Sequence, residues 1–276
     1  MAIITLILII AILLIIHKNK KFKTIEECNK FLYNCKNKQR YIQVLKERAN
    51  LYEEQENYSA AVGDFLKVLE YYSQSKDKSM IDNLYEDILT CYEELKQYNQ
   101  VVVWSTKIIH DDTIEVSYDT YYRRACAYKE LGEEAKAQAD FKKTIELFAK
   151  ANENHKNTIA WEMDDYLTRS KCYSNLGMYD NALEDIESAI KCLESIYPEF
   201  FYEKYTKDSF AKYNEDEKAI VQEDVLKLFE QLLNIQLNTD KLNESLKTCE
   251  KLIFLNPENQ TYTSYKNEIL EKLKTL

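Results

Sequence analysis

The chain has 276 residues, and 45% of them are hydrophobic although it contains only 3 glycines and 2 prolines. So few turn-forming residues argue against a β-rich fold and predict an all-α protein with short connections. The net charge of -10 is moderate and both signs are interspersed along the chain, which argues against a nucleic-acid partner.

The N-terminal stretch, residues 1–16, contains one polar residue, Thr5, and no charge, and four lysines follow between positions 18 and 23. A helix of this length spans about 24 Å, short of the ~30 Å hydrocarbon core, but lysine stems can extend to the headgroups. We interpret residues 1–23 as a single-pass membrane anchor with a basic flank. A cleaved signal peptide and a helix buried in a protein complex are the alternatives. By the positive-inside rule, the following domain is expected in the cytosol, on a mitochondrial or endoplasmic reticulum membrane, or in the matrix if the membrane is the inner mitochondrial one.

The rest of the chain divides into segments through helical periodicity and through signals that start or stop a helix. Thr24 and Glu27, for example, form a capping box that opens a helix. The predicted segments are a capping helix at 24–39, four helix pairs at 40–191, an aromatic-rich insertion at 192–216, a fifth helix pair at 217–257 and a C-terminal capping helix at 258–276.

The clearest helix pair lies at residues 166–190. Its first helix places Tyr166, Arg169, Ser170 and Tyr173 on one face, and its second repeats Tyr179, Ala182, Leu183, Ile186, Ala189 and Ile190 at helical spacing. Gly177 separates the two helices, because glycine adopts a left-handed conformation past a helix end without steric cost. This spacing resembles the tetratricopeptide repeat, whose pattern places Leu-Gly-x-x-Tyr in the first helix and Ala-x-x-x-Phe in the second.

The resemblance covers residues 40–257. It implies an all-α solenoid of helical hairpins, wound into a right-handed superhelix and here preceded by one transmembrane helix. In this family the first helices line a concave groove that binds proteins. We therefore expect a membrane-anchored adaptor or scaffold, similar in layout to the mitochondrial outer-membrane import receptors. The alternatives are a structural subunit of a large membrane complex, and a chaperone adaptor or enzyme accessory.

Catalytic and metal-binding patterns do not emerge from the sequence. The three histidines, His17, His110 and His155, are scattered, and no phosphate loop, nucleophile elbow or metal-ligand spacing is present. The 7 cysteines form no Cys-x-x-Cys pair, so we interpret them as buried side chains of a protein from a reducing compartment. The sequence thus predicts a protein that is not an enzyme, without cofactor, metal or small-molecule substrate.

The groove residues can be compared with those of tetratricopeptide co-chaperones, which hold an acidic chaperone tail with lysine, asparagine and arginine. Lys46, Asn50 and Arg123 agree with that pattern, but Asp87 and Asp119 stand where asparagine and lysine are expected. Two carboxylates would repel an acidic tail, so we expect an acidic groove that attracts basic or amphipathic helices. The alternative is that these charges only keep the surface soluble. The predicted groove residues are Lys46, Asn50, Glu53, Glu86, Asp87, Glu94, Asp119 and Arg123.

The insertion is crowded with aromatic residues, seven of them between positions 197 and 213. A solvated loop does not need so many rings, so they are expected either to pack back on the helices or to contact a partner. The predicted partner-contact residues are Phe200, Phe201, Tyr202 and Tyr205.

Overall fold

The computed structural model of the protein describes residues 22–75, 77–112, 114–154, 163–197 and 215–275. Twelve α-helices lie within these ranges and are joined mostly by short turns, so the predicted all-α hairpin architecture is confirmed there. Nearly all of the predicted anchor and most of the predicted insertion, including its four contact residues, lie outside the described residues. None of the described helices is both long enough and apolar enough to cross a membrane.

The chain divides into two compact units, and in each of them helices that are consecutive in the chain pack on one another. The first unit contains α1 (Ile25–Asn34), α2 (Lys38–Glu54), α3 (Tyr58–Ser75), α4 (Lys78–Glu94) and α5 (Tyr98–Ile109). Helix α6 (Tyr118–Glu130) begins in the second unit and ends in the first. The second unit continues with α7 (Glu134–Asn154), α8 (Met163–Asn175), α9 (Tyr179–Ile196), α10 (Glu215–Asn238), α11 (Leu242–Leu255) and α12 (Gln260–Lys274).

The start of α1 follows from its sequence. The Thr24 hydroxyl accepts a hydrogen bond from the backbone N–H of Glu27 at 3.2 Å, as the capping-box pattern predicts. The Glu27 carboxylate accepts from the backbone N–H of Lys23 at 3.0 Å, one residue before the cap. Two donors at the helix start are thereby satisfied.

The turn inside each hairpin uses one left-handed residue, placed two positions before the second helix. These residues are Glu56 (φ 57°), Lys96 (φ 54°), Gly132 (φ 73°), Gly177 (φ 71°) and Asp240 (φ 52°). The next residue closes the turn, as when the Met178 N–H donates to the Tyr173 carbonyl at 2.9 Å. Gly177 therefore acts as predicted, but three other hairpins make the same turn with a side chain that disfavours it.

In the second helix of each hairpin, the residue three positions after the first helical residue is small or slender and is buried. Ala61, Val101, Ala137, Ala182 and Ser245 hold this position, and each is 0% exposed. Ala137 and Ala182 are therefore core residues of their hairpins. Larger side chains complete the core of each unit, including Leu45, Phe65, Leu84 and Ile88 in the first and Ile186, Leu228, Ile235 and Leu252 in the second. Burial of each such side chain contributes roughly 1.5–3 kcal/mol.

A buried ion pair recurs in three hairpins, and sequence analysis did not find it. The pairs are Arg48 with Asp64, Arg124 with Asp140 and Arg169 with Asp185. In each, the guanidinium donates to both carboxylate oxygens over 2.6–2.9 Å across a separation of 16 residues. In the second hairpin the two corresponding positions hold Ile88 and Trp104, so two apolar residues stand there in place of the ion pair.

Candidate functional site

A cavity of about 420 Å³ lies in the first unit, between the first helices of its two hairpins. It is lined by Lys46, Asn50, Glu53 and Glu54 from α2 and by Asn83, Glu86 and Asp87 from α4. We call it the acidic cavity, because four of its seven lining side chains are carboxylates and one is a cation. Its lining residues therefore offer a ligand mainly hydrogen-bond acceptors and negative charge.

The lining follows from the helical period of α2 and α4. Lys46, Asn50 and Glu53 are four and three residues apart and share one face of α2. The neighbouring positions Leu45 and Ala49 are buried in the core. Because the apolar face of α2 packs in the core, its polar face is held towards the cavity.

Two of the carboxylates are half-buried, and this burial perturbs them. Burial raises the pKa of Glu53, an effect opposed by the Cys91 thiol, which donates to the Glu53 carboxylate at 3.4 Å. Burial also raises the pKa of Asp87, and the charge of Glu86 raises it further, whereas the charge of Lys46 lowers it. Both groups thus carry their negative charge at a cost in the unoccupied protein.

Lys46, the one cation among the residues that line the acidic cavity, forms no ion pair with these groups. Lys46 Nζ donates to the Met80 sulfur at 3.3 Å, and thioether sulfur is a weak acceptor. Within the described residues Lys46 forms no ion pair. Asp87 and Glu86 likewise have no hydrogen-bond or ion-pair partner among the described residues.

Five of the eight predicted groove residues therefore come together in this cavity, namely Lys46, Asn50, Glu53, Glu86 and Asp87. Glu94 is the last residue of α4 and does not line it. Asp119 and Arg123 belong to the second unit, where the Arg123 guanidinium donates to the Asp119 carboxylate at 2.6 Å. That bond joins residues four apart on one helix, so their charges largely offset each other.

Sequence reasoning missed Asn83 as a lining residue, although its position on the same face as Asp87 could have revealed it. It also missed a second cavity of about 250 Å³ in the second unit, between α10 and α12. Leu233, Leu237, Tyr262 and Tyr265 form part of its wall. The Tyr262 hydroxyl donates to the Glu230 carboxylate there. Within the described residues no cluster of side chains is arranged to hold a metal ion.

Comparisons with known proteins agree with this architecture. A family model described as tetratricopeptide repeat matches residues 118–150 and 166–192, which contain most of the hairpins α6–α7 and α8–α9. No curated protein sequence matches the chain significantly.

Solved structures with the same fold are distant in sequence. BtubC (BKLC) from P. vanneervenii is 11% identical with a TM-score of 0.51, over 84% of this chain and 87% of that one. The apo form of RapI is 12% identical with a TM-score of 0.50, over 91% of each chain. YrrB, described as a TPR protein with an unusual peptide-binding site, is 16% identical with a TM-score of 0.46, over 88% of this chain and 100% of that one. At such identities the likeness to BtubC and RapI shows the fold alone.

The two matched stretches are consecutive hairpins, and both contain the glycine turn, the buried alanine and the Arg–Asp pair described above. The other hairpins make the same left-handed turn with residues other than glycine, and they bury Ala61, Val101 and Ser245 at the same position. Residues 118–150 and 166–192 are therefore identified as two tetratricopeptide repeats.

Proposed function

We propose that the protein is a non-catalytic, membrane-anchored adaptor that binds a partner protein through the acidic cavity of its first unit. The observation that carries this proposal is the unneutralised charge of the cavity, where Asp87 and Glu53 remain ionisable at half-buried positions. Neither carboxylate forms an ion pair among the described residues. Their retention is explained if a ligand supplies the missing positive charge.

The partner group that fits is a lysine or arginine side chain on an amphipathic or extended peptide. A guanidinium can donate to two carboxylates at once, and Glu53 and Asp87 stand on different helices that face the same cavity. The amides of Asn50 and Asn83 can bond the partner's backbone beside it. Long-range attraction by the acidic lining also accelerates the encounter with a basic segment.

The test is a titration of a synthetic amphipathic helix that carries one arginine, followed by fluorescence anisotropy at low and at high salt. We expect binding that weakens with salt, and a loss of roughly tenfold in affinity for Asp87→Asn, which corresponds to about 1.4 kcal/mol. The control is Glu70→Gln, because Glu70 is an exposed acid of α3 that does not line the cavity. Equal affinities for the wild type and for Asp87→Asn would show that the cavity is not the binding surface.

The anchor is the second part of this proposal. The apolar run at residues 1–16 and the lysines that follow it support insertion of residues 1–23 in a membrane, with the repeats in the cytosol at a mitochondrial or endoplasmic reticulum membrane, or in the matrix at the inner mitochondrial membrane. Carbonate extraction should leave the full chain in the membrane pellet and release a variant without residues 1–16. Release of the full chain as well would refute the anchor.

A size profile of the detergent-solubilised native protein separates the adaptor from the alternative function, a structural subunit. An adaptor elutes largely alone, whereas a subunit elutes within a large assembly. Elution only within such an assembly would favour the alternative.

A further inference from the structure

Lys46 is the only basic residue among those that line the acidic cavity. It lines the cavity together with four carboxylates, yet its ammonium contacts a thioether sulfur at 3.3 Å and forms no ion pair within the described residues. An exposed lysine commonly gains little from a surface ion pair, but a lysine inside an acidic cavity changes what the cavity accepts. Its positive charge opposes the entry of any second cation.

We propose that Lys46 makes the acidic cavity select mixed-charge segments, in which a basic side chain is accompanied by an acidic one, over purely basic segments. The inference rests on the proposed function, because it specifies the ligand of the same cavity. In the complex, the partner's basic side chain pairs with Asp87 and Glu53, and the partner's carboxylate pairs with Lys46 in place of the weak contact with Met80.

The geometry supports both halves of this pairing. The thioether of Met80 is a poor acceptor, so the ammonium of Lys46 can exchange it for a carboxylate at little cost. The influence of Lys46 already extends to Asp87, because its charge opposes the rise in the pKa of that carboxyl group. A ligand cation at Asp87 therefore experiences repulsion from Lys46, and this repulsion disappears when the ligand brings its own carboxylate.

Specificity against purely basic segments then arises from a repulsive element within the site. A cavity lined by carboxylates alone would bind any polycationic segment, because attraction between opposite charges has little directional selectivity. One fixed cation limits that promiscuity. Lys46 also requires the partner to carry a carboxylate at a defined distance from its basic side chain.

The experiment compares three synthetic helical peptides that differ at one position. Each carries an arginine, and one helical turn away it carries a glutamate, a glutamine or a second arginine. For the wild type we expect the glutamate peptide to bind most tightly, by roughly fivefold to tenfold over the peptide with two arginines at low salt. For Lys46→Met we expect the order to reverse, with the peptide of two arginines binding most tightly.

Two controls isolate the role of the charge. Lys30→Met removes an exposed lysine of α1 that does not line the cavity, so it should retain the wild-type order. Lys46→Arg preserves the charge and should also retain it. Lys46→Gln is a second neutral variant, which provides the measurement if Lys46→Met does not fold.

The outcomes distinguish the inference from the proposed function. If the wild type binds all three peptides but the order is the same in both neutral variants, Lys46 does not select the ligand and the inference is overturned, while the proposed function stands. If no peptide binds the wild type or any Lys46 variant, the acidic cavity is not a peptide site and the proposed function fails.

Discussion

The buried pair of Arg169 and Asp185 provides the strongest test of how the second unit is stabilised. Asp185 is 4% exposed, and the Arg169 guanidinium donates to its two oxygens at 2.7 and 2.6 Å. Replacing only one partner leaves the other charge unpaired and poorly solvated. We expect Arg169→Met alone to lower the free energy of unfolding by about 3–5 kcal/mol.

The paired replacement should behave differently. With Asp185→Leu added to Arg169→Met, no unpaired charge is left behind, and an apolar contact replaces the ion pair. The second hairpin already contains this solution, with Ile88 and Trp104 at the corresponding positions. We therefore expect the double variant to lie within about 1 kcal/mol of the wild type, so that the coupling energy of the cycle is at least roughly 2 kcal/mol.

Urea denaturation followed by far-ultraviolet circular dichroism measures all four proteins of the cycle. The exposed pair of Glu223 and Lys227 is the control, because solvent screens it and Glu223→Gln should change the stability little. If Arg169→Met costs less than about 1 kcal/mol, or if the losses of the two single variants add up in the double variant, the ion pair is not a coupled unit and the reasoning is wrong.

Four further predictions concern single side chains. Lys96→Gly should stabilise the protein by roughly 1 kcal/mol in urea denaturation, because Lys96 has φ 54° and glycine adopts this conformation without strain; a loss of stability would contradict this. Ser105→Ala should be neutral or stabilising, because the buried Ser105 hydroxyl has no hydrogen-bond partner among the described residues. Ser170→Ala should cost about 1–3 kcal/mol, because the Ser170 hydroxyl donates to the Ala182 carbonyl at 2.7 Å; equal effects of the two substitutions would refute the argument. Asp87→Asn should raise the stability at neutral pH, because burial raises the pKa of Asp87 and so penalises its charged form, and the gain should vanish as the pH falls below that raised pKa. Burial lowers the pKa of Lys251 from 10.5 to about 8, so between these pH values the unfolded chain binds more protons than the folded protein. The free energy of unfolding should therefore rise with pH over this range, and Lys251→Met should remove that rise in thermal melts.

The helices were predictable because their signals are local. The capping box at Thr24, the glycine turn at Gly177 and the small residues Ala137 and Ala182 each act within a few residues of the chain. Helical spacing on α2 and α4 also sufficed to bring five predicted groove residues to one cavity. Local pattern therefore carries most of the architecture of the described residues.

The features that sequence reasoning missed depend on contacts across a turn or on backbone conformation. The ion pair of Arg169 and Asp185 joins residues 16 positions apart, and no local pattern links them. The left-handed turn at Lys96 has no signal in its residue type, because the packing of the two helices imposes it. The role of Arg123 as a groove residue stays a prediction, although its guanidinium donates to Asp119, a neighbour on its own helix.

The acidic cavity lies between two hairpins that both depart from the family pattern at their turns. Both hairpins make their turns at a residue other than glycine, and the second hairpin lacks the Arg–Asp pair. The two hairpins that match the family model have a glycine turn and an Arg–Asp pair. A sequence that departs from locally favoured choices often does so where a function requires it. The half-buried carboxylates of Glu53 and Asp87 fit this explanation, since each costs stability in the unoccupied protein and each would be relieved by a cationic ligand. This cost supports our proposal that a partner binds at the acidic cavity of the first unit.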